Sequence, residues 1–154
     1  MKRVVGFLMA ASLMAPVAAM ANSPTLDCPA GTVQVGGPSS AMEASFCAIR
    51  GTGTPHGPYV TFDKQGRVTA QGEYQNGFRA GTWQIFDGNG VKTDEIQFQN
   101  GDFHGRKVAF HANGRKKVEE NYVQGRREGQ LRKFDAAGDI VAVEEYRGNV
   151  MVKR

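Results

Sequence analysis

Apolar positions recur along residues 56–148 with a fixed period of 24 residues. Each period holds two short runs rich in aromatic and β-branched residues, and glycines interrupt these runs every 4 to 11 residues. Such runs are typical of β-strands. A helix is excluded because each glycine inside it would cost about 1 kcal/mol. Two chain reversals in every period therefore predict an antiparallel β-meander.

Two aromatic columns and three sets of glycines mark the period. The columns are Phe62, Phe86, Phe110 and Phe134, followed by Tyr74, Phe98, Tyr122 and Tyr146. Glycines recur at 57, 81, 105 and 129, at 66, 90, 114 and 138, and at 77, 101 and 125, after which the third set slips by one to Gly148. A fixed step of this size indicates a repeat array. The predicted fold is an all-β array of four β-hairpin units, at residues 56–80, 81–104, 105–128 and 129–148.

The second unit shows how one repeat is built. Thr82–Asp87 reads as a strand and Val91–Gln99 as its return strand. Asn89-Gly90 between them predicts a type I′ hairpin turn, in which both residues adopt a positive φ. Asn100-Gly101 then reverses the chain again, and Asn76-Gly77 and Asn113-Gly114 repeat the same dipeptide. Eight repeat strands, with two more from the segment before them, would form one long twisted sheet.

The two faces of this sheet are expected to differ. Side chains alternate across a strand, so the column Phe62, Phe86, Phe110, Phe134 lies on one face and is the predicted core. The residues three positions earlier change chemistry in every repeat and are candidate partner-binding residues on the other face: Tyr59, Trp83, Lys107 and Leu131. Alternatively, Trp83 packs under a neighbouring repeat or under the cap. The return-strand aromatics are expected to stack as a second, structural ladder.

Residues 22–55 precede the repeats and do not share their period. They contain both cysteines, Cys28 and Cys47, which in an exported chain are expected to form a disulfide. Strands are predicted at 32–35 and 44–49, around a turn-rich link at 36–40. The segment is interpreted as a cap on the first sheet edge. The tail, residues 149–154, could add one last short strand.

The first 21 residues have the features of a secretory signal peptide. Lys2 and Arg3 precede an apolar run, and Ala19-Met20-Ala21 is a small-x-small cleavage site. The run is too short to span a bilayer comfortably, because spanning takes roughly 20 residues. Cleavage after Ala21 would give a periplasmic or secreted protein, and an uncleaved membrane anchor is the alternative.

The repeat unit resembles a known family. Gly81, Trp83, Phe86 and Gly90 form G-x-W-x-x-F-x-x-x-G, followed by Phe98 and by Asn100-Gly101. This pattern is similar to the MORN-repeat variant, whose bacterial members are often labelled antitoxin-like. The resemblance covers residues 56–148. It implies a β-hairpin array that serves as a scaffold or binding surface for protein partners and, less securely, membrane lipids. The family has no catalytic residues to carry over.

Charge and motifs narrow the function further. The net charge of +4 includes Lys2 and Arg3 of the leader, and the remainder is too small to indicate nucleic-acid binding. His56, His104 and His111 do not have metal-site spacing, no cofactor motif is present, and adjacent carboxylates such as Glu119-Glu120 point to opposite faces of a strand. The predicted function is a non-enzymatic exported scaffold that binds a protein or an envelope component. The alternatives are a self-associating structural element, an antitoxin-like or immunity-type inhibitor, and an enzyme.

Overall fold

The computed structural model describes residues 24–152. The predicted signal peptide and its cleavage site lie outside this range, as do Lys153 and Arg154. The described residues form one twelve-stranded sheet whose neighbouring strands are antiparallel. This confirms the predicted all-β meander.

The strands follow the repeat period closely. They are β1 Thr32–Gly37, β2 Ala44–Ile49, β3 Pro55–Phe62, β4 Val68–Gln75, β5 Phe78–Phe86, β6 Lys92–Gln99, β7 Asp102–Phe110, β8 Lys116–Val123, β9 Arg126–Arg127, β10 Gly129–Phe134, β11 Ile140–Arg147 and β12 Val150–Val152. Sequence order equals spatial order, except that the two-residue β9 pairs with β8 beside β10. Each strand therefore packs mainly against its neighbours in sequence, as in other repeat proteins.

The structure adds two strands to the ten expected, and one of them is the short tail strand that the sequence allowed. β9 is separate from β10 because the register along β8 shifts between them, from Tyr122↔Arg127 to Glu119↔Arg132. β12 is formed by the tail and pairs with Glu145–Arg147 of β11. β5 also begins earlier than predicted, at Phe78, because the type I′ turn before it lets pairing start at Gln75↔Phe78.

Two kinds of turn alternate, and the prediction was correct for only one of them. Asn76-Gly77 and Asn100-Gly101 have positive φ at both residues, as a type I′ turn requires. At Asn89-Gly90, and again at Asn113-Gly114, only the glycine has a positive φ, so the type I′ prediction was wrong there. The aspartate before the first of these turns decides the geometry: Asp87 Oδ1 accepts the backbone N–H groups of Asn89 and Val91.

The slip of the last glycine column has a simple geometric explanation. Gln124 and Gly125 both have positive φ. Gly148 and Asn149, which lie 24 residues later, also have positive φ. The last turn therefore uses the same two positions as the others, with glycine first and asparagine second. Asparagine tolerates the left-handed conformation, so the exchange leaves the repeat frame unbroken.

The predicted disulfide joins the residues before β1 to strand β2. Cys28 and Cys47 are bonded, with their Cα atoms 5.4 Å apart, and Cys47 is fully buried in β2. Gln34 of β1 holds the preceding segment, since its side chain accepts from the Leu26 backbone N–H and donates to the Pro24 carbonyl. A Cβ at Gly57 would lie 2.7 Å from Pro29 Cδ, which shows how closely the segment approaches β3.

Both faces of the sheet bury apolar side chains. Directly opposed residues on neighbouring strands share a face, and the register places Trp83, Phe98, Tyr122 and Leu131 on one side. Val60, Phe62 and Val108 lie on the other side, and all seven are buried. We call the first side the ladder face and the second the opposite face.

Candidate functional site

A continuous ladder of aromatic rings crosses the ladder face. Successive ring centroids are 4.8 to 6.2 Å apart along Phe46, Tyr59, Tyr74, Trp83, Phe98, Phe103 and Tyr122. The return-strand aromatics were expected to stack on one another, but in the structure Trp83 lies between Tyr74 and Phe98, and Phe103 lies between Phe98 and Tyr122. Tilted and edge-to-face pairs at these distances are favourable, by about 0.5–1.5 kcal/mol each beyond area burial.

Trp83 is the central member of this ladder. Its side chain is only 3% exposed, and its indole N–H donates to the Glu73 carbonyl over 3.1 Å. The ring lies over Gly72 of the neighbouring strand, where a Cβ would overlap the indole. The indole is therefore buried because position 72 has no side chain.

Cations lie beside the rings of the ladder. The guanidinium carbon of Arg79 is 4.9 Å from the Trp83 centroid and 5.4 Å from that of Phe98. Arg127 is similarly 4.7 Å from the Tyr146 centroid, and Lys107 Nζ is 5.9 Å from that of Phe103. These distances lie within the range of cation–π attraction.

A buried carboxylate forms ion pairs with two of these cations. Glu120 is 6% exposed, and its oxygens lie 3.2 Å from Lys107 Nζ and 2.7 Å from Arg127 Nε. The guanidinium of Arg127 also donates to the Tyr122 hydroxyl. The pKa of Arg127 is raised: its burial opposes the shift, and the hydrogen bond to Tyr122 and the Glu120 charge outweigh that effect.

The predicted partner-binding residues lie together on the ladder face but differ in accessibility. Trp83 and Leu131 are buried, while Tyr59 and Lys107 are half-buried. Of the predicted core column, Phe62 is buried, and Phe86, Phe110 and Phe134 are half-buried. Partner binding by these four residues stays a prediction. Of the four, Tyr59 and Lys107 are accessible to a partner.

Sequence reasoning missed one column of residues that shapes this face. Arg79, Phe103 and Arg127 occupy one column with the same 24-residue step as the aromatic columns. The step itself could have revealed them. The acidic residues that form the turns, Asp63, Asp87 and Asp135, share the period as well, with His111 at the remaining position.

The histidines support the fold. His56 Nδ1 accepts the Asn76 backbone N–H over 3.2 Å, and His104 Nδ1 lies 3.5 Å from that of Gln124. The glycine after each of them suggested a turn position, but both histidines lie in strands, in β3 and β7. Each supports the turn twenty residues later. Glu128 takes the same role for Gly148. Among residues 24–152, no three His, Cys, Asp or Glu side chains form a group that could hold a metal ion.

A second surface feature is the aliphatic end of the sheet. Ile140, Val141, Val143, Val150 and Met151 are 49% to 68% exposed. β12 pairs only with Glu145–Arg147. Within the described range, the outer edge of β11 from Ile140 to Glu144 therefore has no strand partner. Exposed edges of this composition readily pair with other chains.

Comparison with known proteins identifies no family for this chain. No protein-family profile matches the chain, and no curated protein is similar to it. A solved structure described as a glycosylation-associated protein (Gap123) complex from Streptococcus agalactiae is similar over 70% of this chain, at 18% identity and a TM-score of 0.42. The match covers 20% of that chain, so this chain corresponds to about a fifth of its length. No helix long and apolar enough to cross a membrane occurs among residues 24–152.

Proposed function

We propose that this protein is a non-enzymatic, exported binding scaffold that holds a protein partner at the aliphatic end of its sheet. The observation that carries the proposal is the outer edge of β11. Ile140, Val141 and Val143 are all more than half exposed there. The inner side of this stretch pairs with β10, whereas its outer side lacks a strand partner among the described residues. Surface patches of this kind are typical of protein–protein contacts.

The expected mode of binding is strand addition. An extended segment of the partner would pair with Ile140–Glu144 of β11 and abut the end of β12. Main-chain hydrogen bonds would supply affinity, and contacts with alternate side chains would supply selectivity. β8 illustrates the geometry, because its Val118 and Glu119 pair with Lys133 and Arg132 of the following unit. Ala142 and Val143 are the corresponding positions one repeat later.

Site-specific photo-crosslinking tests this proposal. A crosslinking residue at Val141 is expected to trap a discrete envelope protein. The same residue at Val33 is the control, because Val33 is also exposed but lies at the other end of the sheet. Val143→Lys should abolish the Val141 crosslink and leave the melting temperature unchanged. Equal crosslinking at Val33 and Val141 would contradict binding at the β11 edge.

The same edge also supports the alternative of self-association. Two copies could pair edge to edge, in which case the crosslinked product would have twice the mass of one chain. Light scattering across a concentration series separates the two functions. A concentration-independent monomer with a crosslinked foreign protein supports the scaffold. A dimer that Val143→Lys dissociates supports self-association.

A further inference from the structure

Arg79 lies on the aromatic ladder with an unpaired charge. It is exposed, and its guanidinium is next to the Trp83 and Phe98 rings. Among residues 24–152, none of the eight ion pairs includes Arg79. A guanidinium that lies over a ring keeps its N–H groups free to donate at the edge. This cation is therefore available to an external anion.

The repeat itself supplies a comparison. Arg127 occupies the corresponding position two units later, and there the chain provides the anion: Glu120 accepts from Arg127 Nε over 2.7 Å. The counterpart of Glu120 in the earlier unit is Gly72, over which the Trp83 indole lies. At equivalent positions of the repeat, Arg127 therefore has a carboxylate partner within the described part of the chain and Arg79 has none.

Two tyrosines lie next to Arg79 on the ladder face. Tyr74 is directly opposite Arg79 across the β4–β5 ladder, and the Tyr59 ring lies 4.8 Å from that of Tyr74. In the described part of the chain, the hydroxyls of Tyr122 and Tyr146 have hydrogen-bond partners, whereas those of Tyr59 and Tyr74 have none. Burial raises the pKa of Tyr59, with a further increase from Tyr74 that the Arg79 charge opposes, so this hydroxyl stays a donor at neutral pH.

We propose that Arg79, Tyr59 and Tyr74 form a carboxylate-binding site, and that its ligand is an aspartate or glutamate side chain of the partner. Guanidinium and carboxylate groups form two parallel charge-assisted hydrogen bonds, and the phenols add neutral donors beside them. The choice of a polypeptide ligand rests on the proposed function, whereas the carboxylate chemistry rests on this cluster alone. The site would select acidic partner segments.

Trp83 is the single tryptophan of the chain and reports on this site directly. Titration of the full chain with a glutamate-rich peptide is expected to change its fluorescence, and the glutamine analogue of the peptide should not. Arg79→Gln should weaken binding about tenfold, as expected when a charged hydrogen bond is lost. Arg126→Gln is the matched control, because Arg126 is also exposed and unpaired within the described residues and the charge change is the same.

A second variant isolates the hydroxyls. The double variant Tyr59→Phe, Tyr74→Phe keeps both rings of the ladder. It should weaken binding of the peptide severalfold without a change in the melting temperature of the protein. Equal weakening by Arg79→Gln and Arg126→Gln would show a diffuse charge effect and overturn the site. Binding of glucuronate with the same Arg79 dependence, but not of the peptide, would overturn the polypeptide ligand. The Val141 crosslink tests the scaffold separately, so either proposal can fail alone.

Discussion

Position 72 and its counterparts one, two and three repeats later decide what each part of the ladder face contains. They are Gly72, Ile96, Glu120 and Glu144. Glycine leaves room for the Trp83 indole, whereas Glu120 brings a buried carboxylate to Lys107 and Arg127. One residue per repeat thus converts an apolar packing site into an ion-pair site without a change in the backbone.

Gly72→Ala should destabilise the protein by about 1–3 kcal/mol, because the new methyl group would force the buried indole out of its position. Chemical denaturation followed by Trp83 fluorescence measures the change. Gly88→Ala is the control, since its added Cβ would meet only the flexible end of Arg67, 3.4 Å away. Equal stability of both variants would mean that the indole has another place to pack.

Glu120→Gln should lower stability by about 1–3 kcal/mol, because two partly buried cations lose their shared anion. The matched control is Glu145→Gln, since Glu145 belongs to none of the ion pairs among residues 24–152. Urea denaturation of the two variants at low salt compares them. A larger loss in the control would contradict the role of the Glu120 cluster.

At the scale of elements, the turns inside three of the four repeats depend on a carboxylate, because His111 replaces the aspartate in the third. Asp135 Oδ1 accepts the backbone N–H groups of Ala137, Gly138 and Asp139, and Asp63 Oδ1 accepts those of Gln65 and Arg67. These backbone hydrogen bonds lower the pKa of both aspartates. The turns therefore form best while the aspartates are ionised.

This pKa shift predicts a loss of stability in acid. A carboxyl group whose pKa is lower in the folded state stabilises the fold above its unfolded pKa of about 3.9. That contribution disappears as the pH falls through the folded pKa. Acidification from about pH 5 to about pH 2 should therefore lower the melting temperature of the wild type more than that of Asp135→Asn. Asp139→Asn, in the same turn, should follow the wild type.

For the whole molecule, the single-layer sheet makes stability local. Each strand contacts mainly its sequence neighbours, so a change at one end should not spread far. The cap and the aliphatic end are the two ends of this array. The first carries a disulfide-linked segment, while the second leaves part of β11 open.

Replacing Cys28 and Cys47 by serine should destabilise the protein by about 3 kcal/mol, the chain-entropy value for a loop of this length. Because the array is one-dimensional, the effect should concentrate in β1, β2 and β3. Hydrogen exchange should accelerate there and stay unchanged in β10 and β11. Uniform acceleration along the sheet would contradict local stability.

Sequence alone determined the architecture. The period of the aromatic columns and glycines specified an antiparallel meander, and the two cysteines specified the disulfide between Cys28 and β2. Both ends of strand β2, Ala44–Ile49, were predicted correctly. These features depend on local backbone preference and on a periodic pattern, both of which are present in the chain itself.

Only the tertiary structure decided which side chains are buried and which cations are neutralised. Trp83 is buried because the facing position on another strand is glycine, and Arg79 is free because its neighbourhood lacks the carboxylate that Arg127 has. Turn types likewise depended on side-chain acceptors such as Asp87. All of these outcomes depend on contacts between neighbouring strands. Those contacts depend on the pairing register, and a periodic sequence pattern does not specify the register residue by residue.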